Sequence, residues 1–142
     1  MPIRTAEAVW EGNLKDGKGR IKGESGALDA PYDWVSRFES GSTTNPEELI
    51  GSAHASCFSM FLSALLTNAE TPPTTIRTTA RVHIERDDRG PVIPRIELQC
   101  EGEVPGIDQA TFAETAEKAK ANCPVSRALA GPEITLEAKL VG

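Results

Sequence analysis

One stretch decides how this chain folds: Asn45-Pro46-Glu47-Glu48-Leu49-Ile50-Gly51-Ser52-Ala53-His54-Ala55-Ser56-Cys57-Phe58-Ser59-Met60. An Asn at the N-cap, a Pro at the first helical position and a Glu three residues after the cap predict the start of a helix. No formally charged side chain follows until after Ala69, so we predict a long helix that ends near Asn68. A run of this length could cross a bilayer. The polar residues within it and the chain's mean hydropathy of −0.30 favour a helix buried in protein.

Helical spacing predicts two different faces for this helix. Ser52, Ser56, Ser59 and Ser63 form a seam of small side chains, where a second backbone could approach closely. The other face places Cys57 among apolar neighbours, which are Ile50, Ala53, Met60, Phe61 and Ala64. Desolvation there disfavours the thiolate and raises the pKa of the thiol. Cys57 is therefore either an inert buried cysteine or a reactive one that needs a cation from elsewhere in the chain.

Composition indicates an ordinary globular chain of 142 residues, for which we predict a single domain over residues 1–142. The net charge of −6 argues against a nucleic-acid partner. The N-terminus has no apolar signal-peptide core, and we expect no membrane association. Three cysteines are an odd number for a disulfide framework, and none is paired with another in a close motif, which favours the reducing cytoplasm.

The remaining sequence predicts strands and shorter helices around the long helix. The predicted elements are strands over 6–10, 20–24, 76–85, 92–104 and 134–140, an extended stretch over 31–38, and helices over 108–121 and 124–129. Because strands and helices do not alternate regularly, we predict an α+β fold with mostly antiparallel pairing.

Other residues offer chemistry of their own. Cys123 precedes Pro124 at a break between helices, where free N–H groups could stabilise a thiolate, or where a small residue merely fits the corner. His54 and Cys57, three apart on a helix, could bind a metal together with Cys123. A cysteine hydrolase would need His54 or His83 as its base. Cys100 shares a strand face with apolar residues, and we interpret it as a core residue.

The quoted stretch, extended back to Thr44, closely resembles the signature of the osmotically inducible protein C (OsmC) family of peroxidases. The resemblance continues at 10–12, 37–39, 104–108 and 118–126, and covers essentially the whole chain. Serines at 52 and 56 stand where alanines are expected, which is a conservative departure. The position of the arginine, just upstream of the Asn-Pro-Glu-Glu block, resembles the pattern of the OsmC branch. In the sister group, the organic hydroperoxide resistance proteins, the arginine comes from nearer the N-terminus.

This resemblance implies an enzyme that reduces organic hydroperoxides, and hydrogen peroxide less well. Cys57 would attack the peroxide and become a sulfenic acid, and Cys123 would resolve it as a disulfide. Arg37 would stabilise the Cys57 thiolate and polarise the peroxide, while Glu47 holds the guanidinium. An external dithiol would reduce the disulfide; a lipoylated protein serves the sister group and is a candidate here. No metal or other cofactor is implied.

The resemblance also implies antiparallel sheets wrapping central helices in an intertwined homodimer, with two sites at the interface. Ten residues of straight helix separate Glu47 from Cys57 by about 15 Å along the axis. Arg37 spans part of that distance, the helix breaks near Gly51, or the arginine and glutamate come from a second subunit. We expect the dimer to be required for activity. Two alternatives to the peroxidase remain: a metal- or ligand-binding module using His54, Cys57 and Cys123, and an inactive dimeric binding protein.

Overall fold

A computed structural model describes all 142 residues of the chain, Met1–Gly142. The elements in chain order are β1 (Ala6–Glu11), β2 (Lys18–Gly23), β3 (Asp29–Tyr32), α1 (Trp34–Phe38), α2 (Pro46–Asn68), β4 (Thr75–Val82), β5 (Glu85–Asp87), β6 (Gly90–Val92), β7 (Arg95–Glu103), α3 (Gln109–Asn122), α4 (Pro124–Ala128) and β8 (Glu133–Leu140). The chain divides into two compact units, Met1–Leu49 and Ile50–Gly142. Sheets and helices follow one another irregularly and most strand pairs are antiparallel, so the α+β prediction is confirmed.

In the first unit, the two strands predicted over 6–10 and 20–24 form a hairpin, which a third strand extends. Strands β1, β2 and β3 pair in that order and are all antiparallel. Gly19 lies opposite both Trp10 and Tyr32 in the register, and their rings pack with centroids 5.5 Å apart. A side chain at Gly19 would collide with both rings, so only glycine fits between them.

The prediction of an extended stretch over 31–38 is wrong in its second half, where α1 forms. Asp33 caps this helix by accepting a hydrogen bond from Ser36 N at 2.8 Å, and Glu39 N donates to Val35 O at 2.7 Å. The aromatic residues favoured a strand in the sequence. A five-residue helix is too short to show a helical period, and its cap is the stronger signal.

Helix α2 begins and ends where predicted and is unbroken through Gly51. Asn45 is its cap, accepting a hydrogen bond from Glu48 N at 2.8 Å. This helix has the length and apolar composition that would allow it to cross a membrane, as do many core helices of soluble proteins. Its innermost side chains are His54, Phe58, Leu62 and Leu66. Met60, by contrast, is 75% exposed.

The second unit is built on a sheet in which β7 lies between β4 and β8. Strand β4 pairs with β7 antiparallel, whereas β8 pairs with β7 in parallel. Parallel neighbours need a crossover connection, which α3 and α4 provide. The predicted strand over 92–104 is shorter at its start, because residues up to 92 form the small β5–β6 hairpin.

One apolar cluster holds the second unit together, and it includes two of the three cysteines. Its buried members are Phe58, Leu62, Leu66, Ile96, Leu98, Cys100, Val104, Phe112, Ala116, Ala119 and Cys123. Cys100 is therefore a core residue, as predicted. Gly102 on β7 leaves room for the ring of Phe112, because any side chain there would overlap it. The core thus fixes α3 against β7, and with it the position at which α3 ends.

Candidate functional site

Cys123 occupies the corner between α3 and α4, as the sequence predicts. It follows Asn122, the last residue of α3, and has an extended backbone with φ −61° and ψ 139°. Its sulfur accepts a hydrogen bond from Ser126 N at 3.3 Å, so Cys123 is the N-cap of α4. Its side chain is fully buried. The corner therefore holds the thiol in a fixed orientation within the core.

Cys57 on α2 meets Cys123 at this corner. The two thiols share a hydrogen bond, and the backbone N–H of Val125 donates to the sulfur of Cys57. Cys57 is half-buried, in contrast to the fully buried Cys123, and both thiols are free. A small reagent can therefore reach the sulfur of Cys57 but not that of Cys123, which lies next to it in the core.

The neighbours of Cys57 disfavour its thiolate on balance. Burial is the largest cause and raises the pKa of the Cys57 thiol above its ordinary value of 9.0. The N–H of Val125 opposes this rise in pKa, and the Cys123 side chain adds to it. The sequence predicted the same effect from the apolar face of the helix. A reactive Cys57 needs a cation to offset it.

His54 belongs to a network that the sequence did not reveal. Its Nε2 lies 2.7 Å from Ser126 Oγ, and the thiol of Cys123 donates to the same oxygen at 3.1 Å. His54 Nδ1 is buried and has no hydrogen-bond partner. Burial lowers the pKa of His54 below its ordinary 6.5, so the ring is neutral at pH 7.

Arg37 and Glu47 form an ion pair within the first unit, as predicted. Arg37 Nε donates to Glu47 Oε1 at 2.9 Å, and the arginine side chain remains 41% exposed while that of the glutamate is 8% exposed. Glu47 Oε2 is buried and has no partner. A carboxylate this buried is costly without its cation, so the pair holds Arg37 at the end of α1.

Asn45 ties the two halves of this ion pair together. Its Oδ1 caps α2, which carries Glu47, and its Nδ2 donates to Ser36 O in α1 at 2.8 Å. Arg37 is the next residue after Ser36. The cap that starts the long helix therefore also sets the distance between Arg37 and Glu47.

The four predicted site residues thus form two pairs. Arg37 meets Glu47 in the first unit, and Cys57 meets Cys123 in the second. The break near Gly51 that we considered does not occur, because α2 is continuous.

The geometry gives little support to the alternative of a metal site at His54, Cys57 and Cys123. The structure contains no group of three or more His, Cys, Asp or Glu side chains arranged to hold a metal ion. His54 directs Nε2 toward Ser126, and His83 is bound to Glu97 Oε2 at 2.6 Å on the sheet. A cysteine hydrolase needs a histidine that contacts the thiol and is itself oriented by a carboxylate. His54 has no carboxylate partner, and the hydrogen bonds of His83 go to Glu97 and Arg95 and not to a thiol.

Sequence reasoning missed Ser126 and Val125. Both follow from the cap: once Cys123 is the N-cap of α4, the N–H groups of the first helical turn have no partner within the helix. That of Ser126 bonds the Cys123 sulfur, and that of Val125 bonds the Cys57 sulfur. The contact between His54 and Ser126 spans 72 residues, and no local pattern predicts it.

Comparison with known proteins places the chain in a family. Residues 39–138 match the family model described as OsmC-like protein. The chain is 51% identical over 138 residues to a protein named peroxiredoxin OsmC from Escherichia coli, covering 96% of both chains, and equally similar to a protein of that name from Shigella flexneri.

Solved structures share the fold. An organic hydroperoxide resistance protein OsmC from Legionella pneumophila matches with a TM-score of 0.72 at 19% identity, over 98% of this chain and 99% of that one. An OsmC-like protein of unknown function from Vibrio cholerae matches with a TM-score of 0.78 at 12% identity, over 97% and 99%. The family model covers most of the chain and the curated relatives cover nearly all of it, so this protein belongs to the OsmC family.

Proposed function

We propose that this chain is a thiol-dependent peroxidase that reduces organic hydroperoxides to alcohols. The observation that carries the proposal is the hydrogen bond between Cys57 and Cys123, with Val125 N–H directed at the Cys57 sulfur. The related chains named peroxiredoxin OsmC support it. Two free thiols in contact, one half-buried and one fully buried, suit a reaction that ends in a disulfide.

In the first step, the Cys57 thiolate attacks the distal oxygen of the hydroperoxide. The O–O bond breaks, the sulfur becomes a sulfenic acid, and the alkoxide takes up a proton and leaves as the alcohol. Val125 N–H stabilises the negative charge on the sulfur. The partly buried apolar side chains on the Cys57 side of α2, Ile50 and Phe61, accommodate the alkyl group, so organic hydroperoxides react faster than hydrogen peroxide.

The cation that Cys57 needs is Arg37 in this proposal. A guanidinium next to the sulfur offsets the cost of burying the thiolate and polarises the peroxide oxygen that leaves. Glu47 fixes the direction of the guanidinium through its Nε, which leaves the two terminal nitrogens free to reach the sulfur and the substrate. Arg37 and Glu47 act within their own chain or on the site of a partner subunit.

In the second step, Cys123 attacks the Cys57 sulfenic acid, releasing water and forming a disulfide. An external dithiol then reduces the disulfide, and a lipoylated protein is our candidate for it. The reducing cytoplasm is the compartment in which this cycle can run.

We also propose that the active form is a homodimer. The outward face of α2 is exposed although the helix has no formal charge after Glu48, and it includes Ser52, Ala53, Ser56, Met60 and Ala64. An uncharged helix face with mostly small side chains suits close packing against the same face of a second copy.

Consumption of peroxide with a dithiol reductant, followed by stopped flow, tests the proposal. We expect a tertiary alkyl hydroperoxide and a fatty-acid hydroperoxide to be reduced faster than hydrogen peroxide, with dihydrolipoamide supporting turnover. A purified protein that retains stoichiometric zinc after dialysis and consumes none of the three peroxides would contradict it.

A further inference from the structure

We infer that His54 and Ser126 form a proton relay that removes the thiol proton of Cys123 as it attacks the Cys57 sulfenic acid. The inference rests on the proposed peroxidase function and assigns a role to two residues outside the peroxide-binding pair.

Burial creates the need for such a relay. Cys123 and His54 are fully buried, and Ser126 is 4% exposed. A thiol attacks a sulfenic acid fastest as a thiolate. Bulk water does not reach the Cys123 sulfur, so its proton has to pass to a protein group or to the departing oxygen of the sulfenic acid.

Hydrogen-bond directions determine which group that is. The Cys123 thiol donates to Ser126 Oγ at 3.1 Å. The hydroxyl of Ser126 has a single proton, which is then free to point at His54 Nε2, 2.7 Å away. In this arrangement Nε2 is the unprotonated nitrogen of the ring and carries the lone pair that accepts. The three side chains therefore form a continuous path from the thiol to a base.

The state of His54 suits the role of a base. Burial lowers its pKa, and no charged side chain contributes to that shift. Two titratable groups are linked to the His54 ring through hydrogen bonds. The thiol of Cys123, at the cap of α4, is linked through Ser126, and the thiol of Cys57, on α2 itself, is linked through Cys123. A neutral imidazole is thus present throughout the neutral pH range.

Packing alone does not explain this histidine. Its Nδ1 is buried and unpaired, and an unpaired buried polar atom destabilises the folded chain. An apolar side chain of similar size would fill the same space without that penalty. A functional role for the Nε2 atom explains why a histidine occupies this position.

The chemistry balances within the site. The sulfur of Cys123 forms a bond to the sulfur of Cys57 while the S–O bond of the sulfenic acid breaks. The thiol proton moves to Ser126 Oγ as the proton of Ser126 moves to His54 Nε2. The imidazolium then returns its proton through Ser126 to the departing hydroxide, which leaves as water. Ser126 is the catalytic residue of this step because it contacts the reacting thiol, and His54 is a positioning residue that acts through it.

A single-turnover experiment separates this step from peroxide reduction. Reduced protein is mixed with one equivalent of a tertiary alkyl hydroperoxide. The sulfenic acid is trapped with a cyclic diketone, and the disulfide is followed by mass spectrometry. The variants are Ser126→Ala and His54→Gln, with Ser126→Thr as the variant that retains the hydroxyl and His83→Gln as the matched histidine control. Thermal unfolding checks that each variant is folded.

We expect sulfenic acid to form at the wild-type rate in all of them. Disulfide formation slows roughly 100-fold in Ser126→Ala and His54→Gln, the usual loss on removing a proton-transfer group. It stays near wild type in His83→Gln and is largely restored in Ser126→Thr. The wild-type rate is flat around neutral pH, whereas the two slow variants become first order in hydroxide. If His54→Gln does not fold, Ser126→Ala, which removes one buried oxygen, carries the test.

Two results would overturn the relay. One is disulfide formation at the wild-type rate in Ser126→Ala and His54→Gln. The other is slow formation with an unchanged pH profile, which indicates a structural role only. Failure of the wild-type protein to form any sulfenic acid would instead refute the peroxidase function on which the relay rests.

Discussion

Arg37 Nε donates to Glu47 Oε1 at 2.9 Å, and only this oxygen of the buried carboxylate has a partner. The guanidinium is thereby held at one nitrogen while its other nitrogens stay available. Its side chain remains 41% exposed, so it is held in place without being enclosed. This arrangement suits a cation that has to act on something beyond its own ion pair.

Replacing Arg37 by alanine should raise the pKa of Cys57 further and slow peroxide reduction roughly 100-fold, because the cation opposing desolvation is lost. The pH dependence of Cys57 alkylation, measured in a Cys123→Ser background, reports the pKa directly. Arg20→Ala is the matched control, since Arg20 is also ion-paired, with Asp29 at 2.7 Å, in the same unit. An unchanged alkylation profile in Arg37→Ala would refute our account of how the thiol is activated.

Replacing Glu47 by glutamine should lower peroxide turnover by roughly 10-fold, less than the loss of Arg37, because the cation remains but is no longer fixed in direction. Glu48→Gln removes the same charge from the same helical turn and should leave turnover near wild type. Steady-state kinetics with a fixed dithiol concentration measures both. Equal losses in the two variants would mean that overall charge, not the Arg37–Glu47 pair, is what matters.

Removing the cap with Asn45→Ala should lower both stability and activity. The loss of an N-cap destabilises by about 1 kcal/mol, and the loss of the Nδ2 bond to Ser36 O loosens α1, which carries Arg37. Urea unfolding gives the first effect and peroxide turnover the second. Asp108→Ala removes the corresponding cap of α3, whose side chain accepts from Thr111 N at 2.8 Å. It should destabilise to a similar extent without a specific loss in Arg37-dependent activation.

His54 should make the folded chain sensitive to acid. Its pKa is lowered by burial in the folded state, so the unfolded chain binds a proton more readily once the pH falls below the ordinary 6.5. Stability is therefore fully present above pH 6.5 and is lost as the pH falls toward the folded-state pKa, by up to about 1.4 kcal/mol per pH unit. Urea unfolding of the wild type and His54→Gln from pH 7.5 down to 5 should show a shallower decline in the variant. Parallel declines would contradict the burial of an uncharged His54.

The dimer proposal predicts that Met60→Glu yields a monomer with little peroxidase activity, because a charge on the outward face of α2 is costly to bury. Sedimentation velocity gives the oligomeric state, and peroxide turnover the activity. Leu14→Glu is the matched control. Leu14 is also a large hydrophobic residue with 63% of its surface exposed, but it lies in a loop of the first unit, so its replacement should leave the assembly unchanged. A monomer with full activity would contradict the proposal.

Local sequence signals predicted the elements that carry the site. The Asn45 cap and Pro46 marked the start of α2, and the break before Pro124 marked Cys123 as the cap of α4. The prediction was wrong at α1, because the aromatic residues there favoured an extended strand, whereas the N-cap formed by Asp33 starts a helix. The parallel pairing of β8 with β7 and the contact of His54 with Ser126 depend on packing between distant segments. Such contacts have no periodic signature within one stretch of chain.

The central claim is that Cys57 is oxidised by an organic hydroperoxide and then joined to Cys123. Peptide mapping by mass spectrometry under non-reducing conditions, after one equivalent of a tertiary alkyl hydroperoxide, tests it most directly. We predict one linked peptide pair containing Cys57 and Cys123, a trapped sulfenic acid on Cys57 in Cys123→Ser, and no oxidation at either position in Cys57→Ser. A Cys57 that remains a free thiol while peroxide is consumed, or a disulfide that forms through Cys100 instead, would contradict the account.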